Sequence, residues 1–401
     1  MAGPLDGVRV LDLTSVVMGP YATSVLAELG ADVIKVEPPG GEVMRKSGPM
    51  RHDDMGHFYL AINRNKRSVV LDLKREEARG ALLRIAAACD VLVYNIRPQA
   101  MERLGLGYEA LRAANPRLLY VGAYGFSQRG PYAARPAYDD LIQGMVGIPW
   151  LTQEAGADKP RYAPMVLVDR MVGLQLANAI TSGLYHRERS GRGQRIDVPM
   201  FEGMLSVVLG EHLAGRQFEP AVGPAGYQRS LAQDRRPYRT KDGWLCAMVY
   251  NDKQWRAFFD AIGRPEVFAG DERFHSQNSR LTNIDHVYCF LAEVLATRTS
   301  DEWLRLFAQA DIPAARMNSI DDMLQDEHVQ ATGFVREVRH PTEGTVRVTA
   351  IPTEWSESVP QHRSHAPLAG EHTRDVLREF GLAPDEIDNL LTTGAACQAG
   401  P

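Results

Sequence analysis

One carboxylate, Asp169, interrupts the otherwise apolar run "PMVLVDRMVG" at residues 164–173. An unpaired charge is costly to bury, so Asp169 is a helix cap, an ion-pair partner or a reactive group. Three further stretches gather polar side chains where predicted strands end, the place where α/β sheets bind ligands. In "SVVMGPYA", Gly19 and Pro20 make a tight turn or start a helix that offers N–H groups to an anion. In "YNIRPQAMERLGLGYEAL", Asn95, Arg97 and Arg103 can hold phosphates, or the arginines can form ion pairs. In "GPYAARPAYDDLIQGMVG", Arg135, Tyr138 and Asp139 fall together; Asp139 and Asp140 also suit a helix start, and Tyr138 a packing role.

The elements that must carry these residues alternate. "GVRVLDL", "DVIKVE", "SVVLDL", "DVLVYNI" and "RLLYVGAYG" read as strands, "YATSVLAELGA" and "REEARGALLRIAAAC" as helices between them. Unbroken Val, Ile and Leu runs between amphipathic helices predict a parallel sheet covered on both faces, an α/β doubly wound class. Beyond Asp169, Val172, Leu176, Ile180 and Leu184 recur at spacing four before a basic turn and Gly191. That pattern predicts one long helix with Asp169 at or beside its N-cap. From about 225 the texture changes. Two strands joined around Asp242–Gly243, the helix "DKQWRAFFDAIG" and short helices follow, then the strands of "GTVRVTAIPTEWS" and the helix "TRDVLREFG". We expect a large Rossmann-like domain at 1–224, a small α+β domain at 225–325 and a segment at 326–401 returning to the large one.

A net charge of −5, from 45 basic and 50 acidic residues, argues against a broadly basic nucleic-acid binder. No apolar stretch is long enough for a membrane span, and no N-terminal segment reads as a signal peptide. Cys89, Cys246, Cys289 and Cys397 form no metal-type pair and suit mostly buried, reduced thiols, so the expected compartment is the cytoplasm. The first turn, "TSVVMGP", lacks the GxGxxG fingerprint of nicotinamide enzymes. No P-loop, HExxH or GxSxG motif occurs, and the histidines are scattered, so no metal site is expected.

Taken together, several segments resemble the family III CoA-transferases, the group that includes formyl-CoA:oxalate and carnitine CoA-transferases. They are "LDGVRVLDLT", "GPYA" and "LAELGADVIKVEPPG"; "INRNKRSVVLDLK"; "NIRPQAMERLGL" with "NPRLLYVGAYGFSQRGPYA"; "PAYDDLIQGMVG"; "RSGRGQRIDVPMFEGML"; "PYRTKDGW"; and "APLAGEHTRDVL". They run in order from residue 5 to residue 377. The resemblance implies that Asp169 is a nucleophile exchanging CoA between carboxylic acids through aspartyl anhydride and aspartyl-CoA intermediates, with Asp139 assisting. It implies that CoA contacts Val17, Met18, Leu71, Asp72, Leu73, Lys74, Asn95, Ile96, Arg97, Arg103, Arg135, Tyr138 and Met200. Lys74 also reads as a solvated strand end. It further implies an interlocked homodimer, acyl-CoA and small carboxylic acids as substrates, and no permanently bound cofactor.

Departures narrow this. Formyl-CoA:oxalate enzymes carry glutamine where Val17 stands and a glycine run where "AVGPAGYQRS" offers Gly223 and Gly226, and some members have arginine at the place of Pro38. Oxalate is therefore not the expected acceptor. Two alternatives are a non-catalytic CoA-binding protein and an α-methylacyl-CoA racemase. The racemase needs a histidine where Ala137 and Tyr138 stand. Arg45, Lys46, Arg51, His52 and His57 are either a solvated loop or a cationic patch for the second carboxylate of a substrate such as succinate.

Overall fold

The computed structural model describes residues 3–400. Its strands are β1 (Arg9–Leu13), β2 (Asp32–Glu37), β3 (Lys66–Leu71), β4 (Val91–Tyr94), β5 (Leu119–Tyr124) and β6 (Arg195–Pro199), then β7 (Tyr238–Arg239), β8 (Trp244–Ala247) and β9 (Ala314–Arg316). The chain closes with β10 (Val335–His340), β11 (Gly344–Thr349) and β12 (Ala396–Cys397). Two compact units result. The first runs to Val146, takes in Pro164–Ser206 and resumes at Val329; the second comprises Gly147–Ala163 and Val207–His328. The second therefore includes stretches that the change of texture at 225 does not mark.

In the first unit seven strands lie in the order β12-β3-β2-β1-β4-β5-β6. All neighbours are parallel except β12, which runs antiparallel to β3. This is the doubly wound, Rossmann-like order, with helices needed on both faces. Those faces explain the composition: β4 and β5 are buried along their whole length. The chain steps outward from β1 to β3, then crosses to β4 on the other side. Connections leaving β1 and β4 therefore diverge, and a crevice opens between their C-terminal ends. β6 and β12 escape a sequence reading because one is a short, charged edge strand and the other has two residues.

The long helix spans Leu167–Ser190 and ends at Gly191, whose φ of 72° needs glycine. It packs on the helix Met18–Glu28 through Gly173, where a Cβ would come within 3.0 Å of the Met18 carbonyl oxygen. The small residue thus sets the approach of the two helices that carry Asp169 and the first loop.

The second unit packs helices on the antiparallel sheet β7-β8-β9 around Trp255, Phe258, Phe259, Phe274, Trp303 and Phe307. One expectation is corrected: only Cys89 is buried, Cys246 and Cys289 are exposed and Cys397 is intermediate. Polar, surface-facing positions on β8 and the helix Ile284–Leu295 account for the exposed pair. Among the described residues no helix is long and apolar enough to cross a membrane.

Candidate active site

Asp169 is the third residue of its helix and is 8% exposed. The N-cap is Val166 rather than Asp169, and no side chain caps the helix. Among the described residues the Asp169 carboxylate takes neither a hydrogen bond nor an ion pair. Two of the three explanations for its charge therefore fall away, leaving an unsatisfied carboxylate at the wall of a cavity. Burial pushes its pKa up to about 7, helped by the neighbouring Asp139 and opposed by Arg170. The first-turn dipole, which favours the anion, is outweighed.

Asp139 begins the helix Asp139–Met145 and is itself buried. Its Oδ1 accepts the backbone N–H of Asp169 at 2.9 Å, and its Oδ2 accepts Gln143 Nε2 at 2.5 Å. Asp139 thus starts a helix and also holds the one bearing Asp169. Gln143 lies within "PAYDDLIQGMVG" but is not singled out there; its spacing of four from Asp139 on a helix is the signal that could have found it.

The loop after β1 is built from beneath by buried charges. Asp12 Oδ1 accepts Thr14 N–H at 2.9 Å, and Lys35 Nζ donates to the Thr14 carbonyl at 2.9 Å. Lys66 Nζ lies 3.2 Å from Asp12 Oδ2 and also donates to Pro20 O, Thr23 Oγ1 and Asn63 Oδ1, each at 2.8 Å. Burial alone would raise the Asp12 pKa, yet Lys66, Lys35 and two hydroxyls hold it at about 2. Above this base Asn95 grips the Ser15 backbone, accepting its N–H at 3.1 Å and donating to its carbonyl at 2.8 Å. Glu42 Oε2 accepts Val16 N–H at 3.1 Å. Val16 has φ of 71°, unfavourable for a β-branched residue and sustained here by these bonds. Its twist delivers Val17 and Met18 to the cavity wall.

Two cavities sit at the ends of β1 and β4, of about 400 Å³ and about 670 Å³, and both are lined by Ser15 and Ile96. Together they form one cleft of ligand-binding size. The first gathers Asp169 with Val17, Met18, Asn95, Ile96, Arg97, Arg135, Tyr138 and Met200. The second takes Leu71, Asp72, Leu73 and Lys74, with Leu13, Val36 and Leu104 making an apolar slot and Pro38 and Lys46 at its lining. Such a slot suits a flat ring carrying phosphates. Asp139 and Arg103 line neither cavity, though Leu104, beside Arg103, does.

Arg97, Arg103, Arg135 and Lys74 are exposed and have no ion-pair partner among the described residues. The alternative of structural ion pairs for the two loop arginines is thus not realised. Arg135 stacks on Tyr132, 3.9 Å from the ring centre. Tyr138 is 70% exposed, which removes a core-packing role. Tyr124, buried and bonded to Tyr94 and Asp197, forms cavity wall that the sequence did not announce.

The cationic patch expected at 45–57 is not assembled in this cavity. Arg45 is fully buried and bound to Glu37 at 2.6 Å and 2.7 Å. His52 pairs with Glu343, the Arg51 guanidinium bonds the Glu343 carbonyl, and His57 lines a separate cavity with His340. The charges of Arg45, Arg51 and His52 are spent on internal partners, which composition cannot reveal, while Lys46 stays at the lining of the second cavity. Among the described residues no cluster of His, Cys, Asp and Glu has the makings of a metal site.

Comparison with known proteins adds to this geometry. Residues 5–373 match the model of "CoA-transferase family III". The mouse succinyl-CoA:glutarate CoA-transferase is 33% identical over 397 residues, covering 98% of this chain and 90% of that protein. The succinyl-CoA–L-malate CoA-transferase alpha subunit of Chloroflexus aurantiacus is 33% identical over 399 residues, covering 96% and 91%. A crystal structure of a variant of Rv3272 from Mycobacterium tuberculosis has a TM-score of 0.82 and 32% identity, covering 94% of this chain and 99% of that one. With this coverage and a cleft in the matched region, the chain belongs to CoA-transferase family III and is a transferase acting on CoA thioesters.

Proposed function

We propose that Asp169 is the nucleophile of a covalent CoA transfer between two carboxylic acids. The observation that carries this reading is a buried carboxylate with no partner among the described residues, opening on a cleft. One Asp169 oxygen attacks the thioester carbonyl, the C–S bond breaks, and CoA leaves as thiolate, giving a mixed anhydride. The thiolate attacks the aspartyl carbonyl and expels the donor acid, leaving aspartyl-CoA. An acceptor carboxylate then attacks that carbonyl, releasing thiolate and forming a second anhydride. Thiolate attack on the acceptor's acyl carbon yields the new thioester and restores Asp169. Val17, Met18 and Met200 shield the site from water, which would hydrolyse an anhydride.

CoA in this reading lays its ring in the apolar slot at Leu71–Lys74, with Lys74, Arg97, Arg103 and Arg135 near its phosphates. Arg97→Ala and Arg135→Ala are each expected to raise KM for acyl-CoA about tenfold with kcat changed less than about threefold. Steady-state kinetics decide; an unchanged KM in both variants removes the cations from the CoA site. Among the described residues no histidine lines the cavity at Asp169, which favours acyl transfer over racemisation. The named relatives that use succinyl-CoA, glutarate and malate favour a dicarboxylate as donor or acceptor.

The test is incubation with succinyl-CoA alone, followed by mass spectrometry of the peptide containing Asp169. A CoA adduct there is the expected result, and turnover with no adduct on that peptide after rapid quenching refutes the covalent route. Screening the same donor against mono- and dicarboxylic acids names the acceptor.

We also place the enzyme in the cytoplasm as an interlocked homodimer. The four cysteines are all free, as a reducing compartment would keep them; a periplasmic or secreted pool in a fractionation would overturn the location. Leu174, Tyr185, Val207 and Leu209 are exposed apolar side chains on two successive helices, which suits burial against a second copy. A solution mass of one chain would remove the dimer.

A further inference from the structure

Gln143 lies one turn beyond Asp139 and is fully buried. Its Nε2 donates to Asp139 Oδ2 at 2.5 Å and to the Met165 carbonyl, in the turn before the Asp169 helix, at 3.3 Å. Asp139 turns its other oxygen to the backbone N–H of Asp169. We infer that Gln143 is a positioning residue for the nucleophile, acting through Asp139, whose Oδ2 it holds so that Oδ1 faces the backbone N–H of Asp169. This deepens the function proposed above and rests on it.

The amide N–H takes one acceptor site of Oδ2 and the backbone N–H one of Oδ1, so the carboxylate is pinned at both oxygens. Asp139 is thereby held directly behind Asp169. The other groups facing Asp169 are Arg170 on its own helix, drawn to the Tyr21 ring of the Met18–Glu28 helix at 4.4 Å, and Arg97, Arg135, Tyr124 and Tyr138 across the cavity. From the sheet, Asp197 is engaged with Arg195 at 3.0 Å. Among the described residues Asp139 is thus the acid in contact with the nucleophile's helix turn. It raises the basicity of Asp169, and with it the strength of its attack. The bond to Met165 O fixes the same side chain to the entry of that helix, so the amide sets position and charge together.

Gln143→Met keeps the volume and loses the donor. It is expected to lower kcat by about 10- to 100-fold while KM for succinyl-CoA stays within about twofold. The acid limb of the kcat/KM profile moves down by about one pH unit, because an Asp139 carboxylate released from Gln143 swings away from Asp169 and pushes less on it. Gln143→Glu shares one proton with Asp139, restoring donor and net charge. It is expected to recover most of the lost kcat near neutrality and to fall off at alkaline pH. An unmoved acid limb in Gln143→Met, or a Gln143→Glu variant no better than Gln143→Met, overturns the inference. If Gln143→Met does not fold, the alkaline fall of Gln143→Glu decides, and its absence counts against. Asp169→Ala is run in parallel: activity there sinks the nucleophile reading itself, whereas a dead Asp169→Ala beside an unmoved Gln143→Met profile sinks only the role of Gln143.

Discussion

Asp169→Ala is expected to reduce CoA transfer by at least about 10⁴-fold, the order found when a covalent nucleophile is removed and only binding is left. KM for acyl-CoA should change little, because no other residue of the cleft is touched, and the adduct on the 169 peptide should vanish. Residual turnover within about tenfold of the natural enzyme would end the assignment. The pH dependence carries a second signature. With its pKa near 7, Asp169 is protonated on the acid side, so kcat/KM should fall below about pH 7.

The same shift has a thermodynamic cost of definite sign. A carboxyl with a pKa of 3.8 when unfolded and about 7 when folded binds its proton more tightly in the fold. The contribution of Asp169 to stability is therefore greatest below about pH 4, declines as pH rises toward 7, and is flat above. The full decline attributable to Asp169 is on the order of 4 kcal/mol. Asp169→Asn removes the titrating group, so it should be more stable than the natural enzyme above pH 7 and no different at pH 4. Denaturant midpoints at the two pH values check this. An Asn variant less stable at pH 8 would mean that the carboxylate is satisfied after all.

The second large effect is expected at Lys66. Lys66→Met leaves Asp12 ionised and fully buried with Lys35 as its remaining cation, a loss of about 3–5 kcal/mol for a broken buried pair. Adding Asp12→Leu should return most of the stability, since two well-packed apolar side chains can replace an ion pair. Activity should not return with it. Asp12 also holds the Thr14 N–H and hydroxyl, and without that grip the twist at Val16 has lost its base. Separate recovery of stability and activity is the outcome that distinguishes a network built to position a loop from one built to hold the fold. Recovery of both in the double variant would contradict the positioning role.

Legibility followed burial. β1 to β5 are readable because two covered faces demand unbroken apolar runs, whereas β6, β9 and β12 are too short or too exposed to leave a period. Asp169 announced itself as a lone charge among apolar residues, and the loops after β1 and β4 followed from strand order. The partners of buried charges were not readable. Lys66 and Asp12 meet across 54 residues of chain, and Arg45 looked like a ligand until its burial against Glu37 was seen. Residue type reports that a side chain is charged, while only the fold reports where that charge is spent. The assignment of the cleft to CoA came from family likeness, since no spacing among Val17, Leu71 and Arg135 encodes it.

The two margins of the large sheet are guarded differently. At one, Arg195, Asp197 and Pro199 on β6 discourage a stranger from adding alongside. At the other, β3 depends on the two residues of β12, with Ala396 opposite Leu71 and Cys397 opposite Val70. Truncation before Ala395 would bare a flat, greasy ladder of unmet amides, so the expected symptom is insoluble aggregate rather than a sluggish catalyst.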